Sequence, residues 1–134
     1  MHWRNMQEAD VISQNDFLSE NPHINKAVSL MLEKKAQDIV IFDMRDFTQL
    51  LDYVIIATGL STTQIDVICR TLEKGLKDSG FRPLGIEGSP DSGWMLLDYV
   101  DYVVHVFGED KRKYYRLEQL WGDMPSLKIG ESVE

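Results

Sequence analysis

Asp98, Asp101 and His105 are the side chains whose types and nearness in the chain raise metal chemistry, while Ser61 and Cys69 raise a nucleophile. Two carboxylates sharing a cation from one strand must point the same way, which requires an even separation. Asp98 and Asp101 are three residues apart and straddle a turn. Cys69 falls on a helical pattern elsewhere, and His2 and His23 lie in or near the N-terminal segment, so no cluster with ligand spacing forms. Acids that end strands beside a turn account for the pair. No Gly-x-Ser-x-Gly elbow exists, and Cys69 belongs to a face expected to point inward. Residues 59–64, Gly-Leu-Ser-Thr-Thr-Gln, sit at a strand-to-helix junction where backbone N–H groups could hold a phosphate. The Lys of a P-loop and the three glycines of a dinucleotide fingerprint are missing. Ser61 and Gln64 have the spacing of a capping box, which satisfies orphan N–H groups reciprocally. A nucleotide-binding enzyme, the competing class of function, rests on that junction alone.

Charge narrows the partners. Twenty-two acidic against 14 basic residues give a net charge of −8. Phosphate-binding proteins draw most of their affinity from Lys and Arg, so a broad nucleic-acid footprint is not expected, and a basic protein partner is the better match. Lys111, Arg112, Lys113 and Arg116 form the basic cluster, read as a solvated helix face behind Glu109 and Asp110, with a minor RNA contact left open. No apolar run approaches the roughly 20 residues of a membrane span. Met1-His2-Trp3-Arg4-Asn5 lacks the core of a signal peptide, and a lone cysteine fits a reducing cytoplasm.

The elements that must position these residues follow from periodicity. Residues 1–20 carry no sustained period and read as an arm, flexible or loosely docked, with a short helix open around Val11, Ile12, Phe17 and Leu18. Asn21-Pro22 opens a helix to about Ala36, since Asn caps and Pro suits the first helical position. Ile24, Ala27, Val28, Met31 and Leu32 form its apolar stripe. Residues 38–43 and 52–58 are β-branched runs read as central strands. Ile65, Ile68, Cys69, Leu72 and Leu76 line the next helix, stopped by Gly80. Residues 82–86 read as an edge strand because Pro83 cannot donate to a ladder, and 87–93 as a loop. Strands 94–99 and 102–107, separated by Val100-Asp101, make an antiparallel hairpin. A last helix over 109–121 points Tyr114, Leu117, Leu120 and Trp121 inward, and residues 125–134 read as a tail. The fold expected is α/β of the α+β type, one domain over 21–124 with a mixed sheet of about five strands flanked by helices.

What remains for function is the hairpin. Trp94, Leu96 and Asp98 share one face of its first strand, and Met95, Leu97 and Tyr99 share the other. Val103, His105 and Phe107 alternate likewise with Tyr102, Val104 and Val106. One face packs on a helix; the other offers an aromatic and aliphatic patch rimmed by Asp98, Asp101 and His105, of the residue types that dominate binding energy.

Residues 52–61, Asp-Tyr-Val-Ile-Ile-Ala-Thr-Gly-Leu-Ser, with Gln64, Gly85-Ile86-Glu87-Gly88, residues 94–99, residues 101–107, and then Arg112, Tyr115, Leu117-Glu118 and Leu120-Trp121 resemble the Iojap family, the ribosomal silencing factors. The resemblance runs in unbroken order over about residues 24–124. It implies a sheet similar to a nucleotidyltransferase fold, with no catalytic acidic pair, cofactor or metal in this chain. It implies binding to the large ribosomal subunit through its ribosomal protein fourteen, on the face that meets the small subunit, so that subunit joining is blocked and translation repressed when nutrients are scarce. Trp94, Leu96, Asp98, Tyr99, Asp101 and His105 are assigned to that contact, Trp94 as apolar anchor and the acids pairing with Arg or Lys. Since both strand faces cannot be exposed, some of the six are expected to be buried. A homodimer through the same apolar hairpin is the competing association. Val100 stands where the family commonly has Gly, which argues against a positive φ there.

Overall fold

The computed structural model describes residues 10–129. α1 (Asp10–Glu20) and α2 (Pro22–Glu33) lead into β1 (Gln37–Asp43) and β2 (Tyr53–Thr58). α3 (Thr62–Asp78) follows, then β3 (Gly85–Ser89), a 3₁₀ turn (Pro90–Ser92), β4 (Trp94–Asp98), β5 (Tyr102–Phe107), α4 (Glu109–Tyr115), α5 (Leu117–Leu120) and β6 (Ser126–Lys128). The strands form one mixed sheet in the order β3-β4-β5-β2-β1-β6, antiparallel everywhere except between β2 and β5. Because parallel neighbours need a long crossover, the chain leaves β2 through α3, lays that helix on one sheet face, and returns to β5 through the β3–β4 hairpin.

The apolar runs of β1 and β2 are central, as expected: β2 is buried along its whole length. The stripe of α3 points inward at all five predicted positions. In α2 Ile24, Ala27, Val28 and Met31 are buried while Leu32, at the margin of the stripe, is exposed. These helices pack on the inner sheet face against Ile41, Ile55, Leu97, Val104 and Val106. Each such side chain contributes about 1.5–3 kcal/mol on burial. The outer face carries a smaller cluster, Val40, Phe42, Val54, Ile56 and Phe107, against which Trp94, Leu117, Trp121 and Met124 lie.

Of the expected arm, residues 1–9 lie outside the described residues, and 10–20 take the helical option as α1, docked by Phe17 edge-on to Tyr53 at 5.3 Å. Three expectations change. Within the expected tail, Ser126–Lys128 pairs with β1, because Leu127 and Ile129 bury on the helical side of the sheet. The edge strand sits three residues later than predicted, clear of Pro83, and takes in Glu87, Gly88 and Ser89 of the expected loop. The last helix is broken at Arg116, whose φ of 52° starts α5 on a new axis. Tyr114 and Leu120 consequently face solvent, while Leu117 and Trp121 pack inward.

The hairpin tip also corrects the reading of Val100. Its φ is +74°, and the N–H of Asp101 donates to the carbonyl of Tyr99 at 2.9 Å, the signature of a three-residue γ-turn. The conformation is imposed from outside: an Asp98 carboxylate oxygen accepts from the Val100 N–H at 2.8 Å, and the Asp101 carbonyl accepts from the Asp52 N–H at 2.6 Å. A β-branched residue held there stores on the order of 1–3 kcal/mol of strain, and glycine's extra chain entropy offsets roughly 0.5–1 kcal/mol of its release. Val100→Gly is therefore expected to stabilise the fold by about 1 kcal/mol, read as a raised urea midpoint at unchanged slope; a lowered midpoint would show the turn to be unstrained.

Candidate partner-binding face

Register places the hairpin residues in rows across the outer face. Ser89, Trp94, Phe107 and Thr58 form one row; Glu87, Leu96, His105, Ile56 and Val40 the next; Gly85, Asp98, Val103, Val54 and Phe42 the third. The first row is roofed by α4, with Tyr115 4.6 Å from Trp94 between ring centroids. Trp121 covers Phe42 at 5.8 Å and approaches His105 at 6.3 Å. Leu96, Asp98 and Val103 remain half-exposed beyond that roof. Four of the six predicted contact residues, Trp94, Leu96, Asp98 and His105, thus share one face, with exposed Asp101 at the tip.

Tyr99 does not join them. It lies on the inner face, 8% exposed, stacked on Tyr102 at 5.4 Å and packed in the helical core. The alternation that grouped it with Met95 and Leu97 decides its place. Its hydroxyl has no hydrogen-bond partner among the described residues, and burial pushes the phenol well above its usual pKa. A buried donor without a partner costs roughly 1–3 kcal/mol. Tyr99→Phe is accordingly expected to hold or raise the melting temperature and to leave partner binding unchanged; lost binding at intact stability would return Tyr99 to the contact.

His105 and Trp94 form the polar centre of the face. The Trp94 indole N–H donates to Nδ1 of His105 at 3.0 Å, which requires a neutral imidazole with its proton on Nε2. Phe107 stacks on His105 with ring planes 3° apart and centroids at 5.8 Å. His105 is 9% exposed, and this desolvation pushes its pKa from 6.5 down to about 4. Between those values the unfolded chain binds a proton that the folded chain refuses, so stability falls as pH drops from 6.5 toward 4. The loss from pH 7.5 to 4.5 is about 2–3 kcal/mol. Asp43 and Glu118, whose pKa values are lowered, lose their contributions only further down, in the carboxylate range. Urea unfolding across this range should show the wild type losing that much more than His105→Gln, whose amide oxygen can still accept from Trp94; parallel losses would exclude His105 as the source.

A residue that sequence reasoning left on a solvated face holds the roof in place. Arg112 is almost buried and grips both oxygens of Glu118 at 2.9 and 2.8 Å, while its third nitrogen donates to Thr58 Oγ1 at 2.7 Å. It fastens α4 and α5 to the end of β2. The six-residue separation from Glu118 matches no helical face, so only the break at Arg116 brings the two together.

The junction after β2 is closed on itself. Ser61 Oγ accepts from the Gln64 N–H at 3.0 Å, as the capping spacing predicts. Gln64 reaches back to the Leu60 N–H at 2.6 Å and donates to the carbonyls of Lys34 and Lys35. A Cβ on Gly59 would meet Ile65 Cγ1 at 2.8 Å, so that glycine serves close strand-to-helix packing. Among the described residues no group of three or more His, Cys, Asp or Glu is placed to hold a metal, and Cys69 is buried with its thiol pushed up to about 12 by desolvation. No helix among them is long and apolar enough to cross a membrane.

The mixed sheet is backed by helices on one face and presents an ordered aromatic platform on the other. The model of the family described as "Ribosomal silencing factor during starvation" matches residues 18–134. "Ribosomal silencing factor RsfS" of Halalkalibacterium halodurans is 35% identical over 112 residues, covering 84% of this chain and 96% of that one. A mouse protein named "Mitochondrial assembly of ribosomal large subunit protein 1" is 28% identical over 109 residues, covering 79% and 48%. An X-ray crystal structure of a Chromobacterium violaceum protein superposes with a TM-score of 0.72 at 33% identity, covering 84% of this chain and 94% of that one. The chain belongs to the ribosomal silencing factors, the Iojap family.

Proposed function

We propose that this chain binds the large ribosomal subunit through its ribosomal protein fourteen and blocks joining of the small subunit by occupying its place. The observation that carries the reading is the outer face of β4 and β5, where Trp94 is locked by His105, Phe107 and Tyr115 while Leu96 and Asp98 stay open beside Asp101. Family membership supports the silencing role, and the mouse relative's name supports the large subunit. The net charge of −8 suits a basic ribosomal protein. No bond is made or broken; the mechanism is steric and requires an interface of roughly 1,200–2,000 Å². Trp94 and Leu96 supply apolar contact, and Asp98 and Asp101 pair with Arg or Lys at the rim.

Light scattering of subunit reassociation tests this. The wild-type chain should suppress the rise in scattering, and Trp94→Ala and the charge-reversed pair Asp98→Arg/Asp101→Arg should each require about tenfold more protein for the same block. Wild-type chain without effect at saturating concentration ends the reading; wild-type potency in both variants removes this face from it.

A further inference from the structure

Phe47, Leu50, Leu84 and Val100 are 61%, 86%, 74% and 56% exposed, and the topology brings all four to one end of the sheet. β1 ends and β2 begins there, so loop 44–52, which carries Phe47 and Leu50, caps that end. Because β2 and β5 are parallel, the hairpin tip with Val100 lies beside the loop, joined to it by the Asp52 N–H to Asp101 carbonyl bond. Leu84 reaches the same end through its N–H, which donates to the Asp98 carbonyl at 2.7 Å. Isolated exposed apolar residues are ordinary, but several large ones at one end, ringed by acids, have the form of an interaction site.

The loop is ordered for display. The Met44 N–H donates to the Asp52 carbonyl at 2.8 Å, and the N–H groups of Phe47 and Thr48 both donate to the Met44 carbonyl at 2.9 and 3.0 Å. The Leu50 N–H donates to Thr48 Oγ1 at 3.1 Å. Arg45 holds both oxygens of Asp43 at 2.9 and 2.7 Å and lays its guanidinium over the Tyr53 ring. Met44 is buried and Leu51 packs on the outer cluster, so the chain is anchored at both ends of the segment that presents Phe47 and Leu50. A partner docking here would spend little on ordering the loop.

Charge selects the partner. Asp46, Asp52, Asp98 and Asp101 stand at this end, and none of them is in an ion pair among the described residues. Arg45 is committed to Asp43, and Arg82 stands two residues before Leu84 in the chain. Four carboxylates without an ion pair among the described residues outnumber the cations Arg45 and Arg82 here, so this end repels phosphate and favours Lys and Arg, which points away from ribosomal RNA.

We infer that this end of the sheet is a second docking contact, in which Phe47 and Leu50 receive apolar side chains of a basic protein segment on the large subunit while Asp46, Asp52 and Asp101 pair with its cations. The inference rests on the ribosomal reading above and extends its footprint from the outer face around the hairpin tip to loop 44–52.

Co-sedimentation of the full chain with purified large subunits tests it. Phe47→Ser/Leu50→Ser should weaken binding about tenfold or more relative to wild type, and Leu50→Ser alone, at the most exposed position, should weaken it in the same direction at an unchanged melting temperature. Asp46→Lys/Asp52→Lys should weaken binding too, most at low salt. Apolar variants binding within about twofold of wild type would overturn this contact and leave the outer face standing. Tighter binding by the lysine pair would overturn it in favour of RNA. A wild-type chain that does not sediment with the large subunit overturns this contact and the ribosomal reading together.

Discussion

The parallel pairing of β2 with β5 positions everything else on the molecule. Its register runs from Tyr53 opposite Tyr102 to Thr58 opposite Phe107. Both ends are pinned, by the Asp52 N–H to the Asp101 carbonyl and by the Gly59 N–H to the Phe107 carbonyl at 2.8 Å. A slip of one residue would send His105 and Phe107 into the helical core and bring Val104 and Val106 out. Burial opposes that slip on both sides, because Val104 and Val106 are fully buried among α2 and α3 side chains and Phe107 is the largest fully buried side chain on the outer face. The pairing also dictates chain order, since the helix needed to cross over is the one that insulates the inner face.

The outer face then depends on neutral chemistry held under cover. A charged imidazole at His105 would break the Trp94 hydrogen bond and place an unpaired cation against three aromatic rings. Desolvation prevents that at neutral pH. The roof is kept by the opposite device, a charged pair. Burying Arg112 is tolerable because Glu118 and Thr58 together satisfy three of its nitrogens in fixed geometry. Removing Glu118 would therefore cost more than the pair's net worth, since it leaves a buried guanidinium without its counter-charge.

Strand alternation and the helical stripes made most of this fold legible from residues alone. The five inward positions of α3, the central burial of β2 and the face shared by Trp94, Leu96 and Asp98 all follow from period and composition. Tyr99 shows the two sources in conflict: alternation put it with Leu97, and the resemblance drew it into the contact. The features that stayed hidden are non-local. Val100 is driven to positive φ by Asp98 and by a bond from a loop some fifty residues earlier, which no local preference announces. Arg112 meets Glu118 only across the break at Arg116. β6 is too short for a period, and loop 44–52 has none, so neither the sixth strand nor the display of Phe47 and Leu50 could be read from spacing.

The steric mechanism proposed above places one demand on the fold: affinity must come from surface that is already in its bound shape. Every ordered side chain immobilised only on binding subtracts roughly 0.5–1.5 kcal/mol. Trp94 is already fixed by one hydrogen bond and three ring contacts. The hairpin tip is already held in a strained turn, so strain is spent in the free protein and none is added when a partner arrives. In the proposed mechanism a β-branched residue at this turn keeps the tip rigid, at the cost of the strain that glycine would release. Stability and rigidity therefore pull in opposite directions at Val100, where glycine would relax the turn and the β-branched residue restricts it.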